Sequence, residues 1–302
     1  MSRSRIVVTG GTGFVGRALL ARAAARWPGC RLVVPTRRRS AAQALQVLPT
    51  VDLVQADVHD PAAMASVLGG AQALVHLVAV LHGNAARFER VHVQLPRALA
   101  QACRSAGVRR VIHVSALAVA NDAPSLYLRS KAAGEAVWRD SGLEVTMLRP
   151  SVIFGAEDRF TNVFAALLRR LPVLPLAGAA AQFQPVWVGD VAEAILRSLE
   201  RPGTPDVIDC AGPQVLSLAD IIAALGRMTG HERPVWPLPE AIGHLQATLM
   251  ALLPGEAPLS HDNLHSMRVP SVASGRVPGL DALGIRPAPL ALLASHFAPA
   301  TR

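Results

Sequence analysis

A single tyrosine and a single lysine, Tyr127 and Lys131, stand four residues apart in a chain that is otherwise rich in arginine. Residues i and i+4 of a helix share one face and lie one turn apart. A phenol with a pKa near 10 is a poor catalyst at neutral pH, but a nearby ammonium lowers that pKa. The ammonium can also hold the ribose hydroxyls of a nicotinamide cofactor, where a planar guanidinium fits less well. The spacing predicts a catalytic pair; the alternative is an incidental pair on a helix surface.

A third polar side chain, Ser115, closes the apolar segment RRVIHVSA twelve residues before Tyr127. Ligands of an open parallel sheet bind beyond the carboxyl ends of its strands, so this hydroxyl can hydrogen-bond a substrate carbonyl or alcohol. The alternative is a serine that caps the local backbone. We predict Ser115 as the third catalytic residue, with no metal in the site.

A glycine-rich turn near the amino terminus predicts the cofactor site. The segment VVTGGTGFVG places Gly10, Gly13 and Gly16 after the first predicted strand and at the start of the first predicted helix. Gly10 permits the tight turn, Gly13 lets the backbone approach a pyrophosphate, and Gly16 allows close packing of the helix on the strand. The helix amino terminus adds N–H groups and a positive dipole. This context predicts a dinucleotide-binding loop rather than a purely structural turn.

The end of the second predicted strand indicates which dinucleotide binds. NAD-binding proteins usually carry an acid there, which holds the ribose hydroxyls. This strand ends in PTRRRS instead, and the guanidinium groups of Arg37, Arg38 and Arg39 suit a 2′-phosphate. NADP(H) is therefore preferred and NAD(H) is the second choice, while the arginine that contacts the phosphate is left open. The alternative is a solvated arginine run, and Asp57 is expected near the adenine amino group.

Strands and helices alternate strictly over the first half of the chain. The predicted strands are 5–10, 31–36, 52–57, 73–80, 109–116 and 143–150, and amphipathic segments such as 87–106 and 125–141 predict the helices between them. This alternation predicts an α/β fold, with a Rossmann-type doubly wound parallel sheet.

The alternation loosens after Pro150, which predicts a small, mostly helical C-terminal lobe. We predict an NADP(H)-binding domain over 1–212, with 151–184 partly in the substrate lobe, and a substrate or cap lobe over 213–302. The segment DVIDCAG, at 206–212, is expected to add one strand to the main sheet.

Two helices are predicted within this lobe. Ser217 and Asp220 have the spacing of a helix start. The segment 240–253 carries an apolar stripe formed by Ile242, Leu245, Leu249 and Leu252. This stripe is expected to pack on the main domain, with contact to a membrane surface as the alternative.

Composition narrows the classes of function. The net charge is +9, and positions 1–51 hold nine arginines and no acid, which favours anionic partners. The basic residues are dispersed and aromatics make up only 4%, which argues against a nucleic-acid partner. Cys30, Cys103 and Cys210 are too far apart in sequence for a disulfide framework or a metal cluster. We expect no leader and no membrane span, and a cytoplasmic location with peripheral association with the inner membrane as the alternative.

The chain resembles the extended short-chain dehydrogenases/reductases over about its first 210 residues. The resemblance rests on TGGTGFVG at 9–16, the pair Asp57–Val58, Ser115, and the Y-x-x-x-K pattern at 127–131. It implies that the tyrosine is the acid/base, that the lysine binds ribose and tunes the tyrosine, and that the serine orients the substrate. The segment LRPSVIFG at 148–155 resembles the loop that contacts the nicotinamide. Beyond the glycines, Arg37 and Arg38, the expected cofactor contacts are Phe14, Val15, Asp57, Val58, Leu77, Val78, Lys131 and Pro150.

A narrower likeness spans nearly the whole chain. The segments YLRSKAAGE, LRPSVIFGAEDRF, PVWVGDVAEAI and LPGEAPLSHDNL are similar to those of an atypical branch related to the NAD-dependent epimerases/dehydratases. That branch contains accessory subunit 9 of respiratory complex I and its bacterial relatives. The likeness implies tight NADPH binding, which in some members has no known turnover, and a connection to quinones or the respiratory chain.

These observations leave three hypotheses of function. We favour an NAD(P)H-dependent oxidoreductase acting on a carbonyl, an alcohol or an apolar, quinone-like small molecule. The alternative is a non-catalytic NADPH-binding accessory or assembly factor of a respiratory-chain or quinone-biosynthesis complex, which would associate with that complex or with a membrane surface. A further alternative is an epimerase or dehydratase that uses a bound cofactor transiently. The fourth active-site residue of the resembled family, an asparagine, is not located, and Asn84 is expected to be a loop residue.

Several weaker signals surround the predicted pocket. His76 lies inside an apolar strand and is expected to be a core histidine, whereas His82 could equally line the pocket. An aromatic cluster is expected where the substrate should be covered, as core packing or as an apolar pocket. Its members are Phe154, Phe160, Phe164, Phe183 and Trp187.

Overall fold

The computed structural model describes residues 4–201, 203–250 and 260–297. The strands are β1 Arg5–Thr9, β2 Arg31–Thr36, β3 Val51–Gln55, β4 Ala73–His76, β5 Arg110–Val114, β6 Glu144–Pro150, β7 Ile153–Phe154, β8 Leu174–Ala177, β9 Gln182–Phe183, β10 Val186–Trp187, β11 Val207–Cys210, β12 Leu216–Ser217 and β13 Val235–Leu238. The strand predicted at 73–80 is shorter in the structure, where regular pairing ends at His76.

The helices lie between the strands of the main sheet and throughout the second half. They are α1 Phe14–Arg26, α2 Pro61–Leu68, α3 Ala85–Glu89, α4 Leu95–Ala106, α5 Leu126–Arg139, α6 Arg159–Arg170, α7 Val188–Glu200, α8 Leu218–Thr229, α9 Glu240–Met250, α10 His261–Ser266 and α11 Ala294–Phe297. A π segment, Arg90–Gln94, joins α3 to α4. Three 3-10 helices cover Arg39–Leu45, Leu280–Leu283 and Leu290–Leu293.

Seven parallel strands form the main sheet in the order β11-β6-β5-β4-β1-β2-β3. The chain runs from β1 outward to β3 and then crosses to the other side at β4, so the strand order reverses between β1 and β4. Ligands of such sheets bind in the crevice outside the carboxyl ends at this reversal. The predicted doubly wound α/β fold is confirmed, and the segment at 206–212 supplies β11 as an edge strand beside β6.

Each face of the sheet is covered by helices that bury an apolar core. Helices α1 and α7 pack together on one face, over a core that includes Leu20, Val34 and Ile195. The other core lies among α2, α4 and α5 and includes Leu74 and Trp138. Burial on both faces explains why β1, β2 and β4 are nearly continuous apolar runs instead of alternating ones.

The second half of the chain forms a smaller lobe around a third core. Helix α8 begins with a capping box in which Ser217 and Asp220 exchange hydrogen bonds, as predicted. The predicted aromatic cluster is present in this core, where the ring centroids of Phe160 and Phe164 lie 5.2 Å apart. The chain then returns to the main core, because the 3-10 helix Leu280–Leu283 packs among residues of the sheet.

The prediction for the apolar stripe of α9 is wrong in the part that the structure describes. Ile242 and Leu245 are about half exposed, whereas Ala247 is fully buried and Gly243 faces Ala177 of β8. Small residues therefore form the packed face of this helix, because they allow its backbone to approach the lobe closely. Leu252 lies outside the described residues. Among the described helices, none combines the length and the apolarity that a membrane crossing requires.

Candidate functional site

The glycine-rich loop lies at the reversal of strand order and has the close contacts of a phosphate cradle. Gly10 has φ +76°, and an added Cβ there would meet Leu77 C and Val78 N at 3.0 Å. A Cβ on Gly16 would lie 2.4 Å from the carbonyl oxygen of Gly11. The N–H of Gly13 donates to Gly10 O at 3.0 Å and closes the turn. The loop therefore fits a dinucleotide whose pyrophosphate lies on the amino terminus of α1.

Three further predicted cofactor contacts, Phe14, Val15 and Pro150, lie at the start of α1 and at the carboxyl end of β6. The ring of Phe14 lies 3.0 Å from where a Cβ on Gly155 would be, so the ring packs beneath the segment after β6. Val15 packs half-buried on the core beneath the sheet. Pro150 is buried, and its carbonyl accepts the N–H of Leu117, which fixes the chain that follows β5.

The three arginines predicted to contact a 2′-phosphate lie on the surface after β2. Arg37, Arg38 and Arg39 are all exposed and follow β2, so their guanidinium groups are accessible to a phosphate. Asp57 is also exposed, and its Oδ1 accepts the N–H of His59 at 3.0 Å. Val58 packs half-buried against the sheet core beside it.

Lys131 is buried and stands directly beside the end of β5. Its side chain is 2% exposed, and Nζ donates to Val114 O at 2.8 Å. Burial lowers the pKa of Lys131 to about 8, although the nearby Glu135 carboxylate raises it. Ser115, which directly follows β5, has a buried Oγ without a hydrogen-bond partner in the described part of the chain. The structure thus brings the lysine ammonium and the serine hydroxyl to one strand end.

Tyr127 lies in the first turn of α5, where Ser125 is the N-cap. Its ring packs edge-on against Phe88 and His92, with centroids 6.2 and 5.7 Å away. Burial raises the pKa of Tyr127 to about 12. The prediction that the pKa of Tyr127 is lowered is therefore wrong, because burial removes water from the phenolate and so disfavours the charged form.

The lobe contacts the helix of Tyr127 directly, through a carboxylate that sequence reasoning missed. Asp262 of α10 accepts the N–H groups of Leu126 and Tyr127 at 2.7 and 2.9 Å. The next residue, Asn263, hydrogen-bonds His82 at 3.0 Å, so His82 lies near the site. Ser260 is the N-cap of α10, but the local sequence gives no signal for a contact across 135 positions.

Two buried histidines, His76 and His113, lie close enough to Lys131 for its charge to influence their pKa values. His76 and His113 stack with centroids 5.3 Å apart, and Nδ1 of His76 is 2.8 Å from the hydroxyl of Thr9. Burial, reinforced by the ammonium of Lys131, lowers the pKa of His76 to about 3 and that of His113 well below its ordinary value. His76 is therefore a neutral core histidine, as predicted.

Asn84 is not part of this site. It is the N-cap of α3, where its Oδ1 accepts the N–H of Arg87 at 3.0 Å. The residues of this connection whose rings contact Tyr127 are Phe88 of α3 and His92 of the π segment. A π segment has no signature in the sequence, and 87–106 reads as one ordinary helix.

The fold and the cradle define an NAD(P)-binding Rossmann protein of the extended short-chain dehydrogenase/reductase type. Residues 6–211 match the NAD dependent epimerase/dehydratase family, and the chain belongs to it. Because the family is NAD-dependent and the cradle fits, the cofactor is a nicotinamide dinucleotide, NAD(P)(H).

Two curated relatives are similar to the chain over about two thirds of its length. Subunit 9 of the mitochondrial NADH dehydrogenase [ubiquinone] 1 alpha subcomplex of Mus musculus is 37% identical over 208 residues, which cover 68% of this chain and 55% of the relative. The ceramide reductase of Caulobacter vibrioides is 32% identical over 202 residues, covering 67% and 62% respectively. The chain therefore spans little more than half of the length of these relatives.

A solved structure shares the fold over nearly the whole chain. It is an NADPH-dependent quinone oxidoreductase of Escherichia coli complexed with NADPH, with a TM-score of 0.80 and 24% identity. The similarity covers 96% of this chain and 99% of that one, so it includes the small lobe as well as the sheet.

Proposed function

We propose that the protein is an NADP(H)-dependent oxidoreductase that acts on an apolar carbonyl, alcohol or quinone-like molecule through Ser115, Tyr127 and Lys131. One observation carries the proposal. The only lysine is buried at the carboxyl end of β5, on the helix of the only tyrosine and beside a serine hydroxyl that has no described protein partner. Burying a charged group costs free energy and is common where a reaction uses the charge.

The proton chemistry follows from these environments. The loop of Gly10, Gly13 and Gly16 would hold the dinucleotide, which would supply a hydride for the substrate carbon. With a pKa near 12, Tyr127 holds its proton at neutral pH and can donate it to the substrate oxygen as charge develops there. The ammonium of Lys131 stabilises the phenolate that results, and the hydroxyl of Ser115 hydrogen-bonds the same oxygen and orients it.

Three further features support the choice of cofactor and substrate. The exposed arginines after β2 suit the 2′-phosphate of NADP(H), and residues 37–50, between β2 and β3, include no acid to hold a free ribose hydroxyl. We propose that half-buried rings of the aromatic cluster, such as Phe160 and Trp187, give the substrate an apolar wall. The names of the bacterial relatives, a ceramide reductase and a quinone oxidoreductase, are consistent with an apolar substrate.

Separate titrations with NADPH and NADH, followed by the fluorescence of the reduced nicotinamide, test the cofactor. We expect tighter binding of NADPH, and replacement of Arg37 and Arg38 by serine should remove that preference. The NADPH-bound protein is then offered short-chain benzoquinones and aromatic aldehydes, and loss of NADPH absorbance is expected with at least one class. Equal binding of the two nucleotides would contradict the arginine assignment.

A second candidate is a non-catalytic NADPH-binding accessory or assembly factor. It is favoured by the similarity to a complex I subunit, which has the highest identity among the relatives described above. This candidate predicts tight NADPH binding without oxidation by any substrate. Use of the bound cofactor for epimerisation remains the third candidate and rests on the family alone.

A further inference from the structure

His92 lies where the connection between α3 and α4 departs from regular helix geometry. It is the central residue of the π segment Arg90–Gln94 and is 3% exposed. Such segments are rare, and they occur frequently at functional sites because the extra residue redirects side chains. Nothing in the proton chemistry described above uses this histidine.

His92 contacts three positions on one face of α5, the helix that carries Tyr127. Its ring meets the Tyr127 ring edge-on at 5.7 Å, and its Nδ1 lies 2.8 Å from Ser130 Oγ. Its carbonyl oxygen would be 2.1 Å from a Cβ on Gly134, so only glycine permits this approach. Positions 127, 130 and 134 follow one another along a helix face. A single residue therefore fixes two turns of α5.

The hydrogen bonds determine the protonation of the ring. The N–H of Val80 donates to His92 Nε2 at 3.1 Å, so Nε2 carries a lone pair. The neutral ring then has its proton on Nδ1 and donates it to Ser130 Oγ, which donates in turn to Tyr127 O at 2.7 Å. Burial, with the charge of Lys131, lowers the pKa of His92 to about 3, which keeps the ring neutral.

We propose that His92 is a positioning residue that holds Tyr127 in its reactive place, as a neutral imidazole anchored to Val80 and donating to Ser130. The chain of donors runs in one direction from Val80 to the Tyr127 backbone, so the ring has one orientation and one tautomer. The segment after β4 and the helix of Tyr127 are thereby held at a fixed separation. The effect on turnover rests on the proposed function, but the effect on Tyr127 itself does not.

The sole tyrosine makes the first test independent of turnover. Tyrosinate absorbance is followed against pH in the wild type, His92→Phe, His92→Ala and a control, His231→Ala, which lies beyond α8. An ordinary tyrosine is half ionised near pH 10. We expect little tyrosinate at that pH in the wild type and control, and clearly more in His92→Ala, where water reaches the phenol. Equal ionisation in His92→Ala and the wild type would overturn the proposal.

The imidazole nitrogens supply a second test. Its main measurement uses wild-type protein, so it does not depend on whether a His92 variant folds. In wild-type protein labelled with ¹⁵N in histidine, His92 is expected as the Nδ1–H tautomer, unchanged between about pH 5 and 8. Ser130→Ala, a mild change on a helix, removes the acceptor of that proton and should let the tautomer mix. A protonated ring in that range, or an Nε2–H tautomer in the wild type, contradicts the proposal.

Turnover gives the third measurement. A displacement of about 1 Å can cost on the order of 10² in rate. We therefore expect His92→Phe, which keeps a ring but loses both hydrogen bonds, to lower kcat at least tenfold and to change the Kd for NADPH less than about threefold. Unchanged kcat in His92→Phe would refute positioning by these hydrogen bonds. If the wild type oxidises no NADPH, the proposed function fails, and the two preceding tests still decide the role of His92.

Discussion

Burial of Lys131 imposes a cost in folding free energy that a single substitution can reveal. Burial lowers its pKa from 10.5 to about 8, and each unit of such a shift corresponds to about 1.4 kcal/mol. The buried ammonium therefore costs the folded protein about 3 kcal/mol at neutral pH. Lys131→Met retains much of the volume without the charge but removes the donor to Val114 O, so we expect the free energy of unfolding at pH 7 to rise by up to about that amount.

The sign and the pH range of this effect follow from proton linkage. Between about pH 8 and 10.5 the unfolded chain still holds the lysine proton whereas the folded chain has released it. The unfolded state then binds more protons, so the stability of the wild type rises with pH through this window. The variant lacks this rise. The difference between the two proteins should be largest below about pH 8 and should vanish by about pH 10.5.

Urea unfolding at a series of pH values from 7 to 10.5 measures this difference. Arg97→Met, which removes an exposed cation from α4, is the control and should change stability by less than about 0.5 kcal/mol. A Lys131→Met variant that is destabilised at pH 7, or a difference independent of pH, would refute the reasoning. Lys131→Met is also expected to lose turnover. The protein would then keep this lysine for its function although the lysine lowers the free energy of unfolding.

Two further predictions concern the elements that hold the site. Asp262→Ala removes two charge-assisted bonds at the amino terminus of α5 and should cost about 2 kcal/mol in urea unfolding and lower kcat. Asp60→Ala, which removes a local cap from α2, should cost a comparable free energy without affecting kcat, and equal effects on kcat would contradict the prediction. Gly16→Ala places a Cβ 2.4 Å from a loop carbonyl and should weaken NADPH binding at least tenfold by fluorescence titration, so unchanged binding would place the cofactor elsewhere.

The sequence predicts features whose determinants are local. The turn at Gly10 and Gly16, the pairing of Ser217 with Asp220 and the strand at 206–212 each depend on a few adjacent residues, and all are confirmed. The periodicity of apolar residues likewise determines the parallel sheet, because both of its faces must be buried.

The sequence does not predict contacts whose partners are far apart. Asp262 reaches the helix of Tyr127 across 135 positions, and His92 depends on a π segment that resembles ordinary helix in sequence. The pKa of Tyr127 was predicted with the wrong sign, because spacing indicates a nearby charge but not the depth of burial that opposes it. The prediction that the apolar stripe of α9 packs on the main domain is wrong at Ile242 for a related reason. Small residues can form the packed face of a helix, and the sequence does not show which face is buried.

We propose that Tyr127 transfers the proton in an NADPH-dependent reaction. The most direct measurement compares NADPH oxidation and NADPH binding in the wild type and Tyr127→Phe, with a short-chain benzoquinone and an aromatic aldehyde as acceptors. We predict a fall in kcat of at least about 10²-fold in the variant, with the Kd for NADPH unchanged within about threefold. Equal turnover in the two proteins, or tight NADPH binding without turnover in the wild type, would contradict the claim.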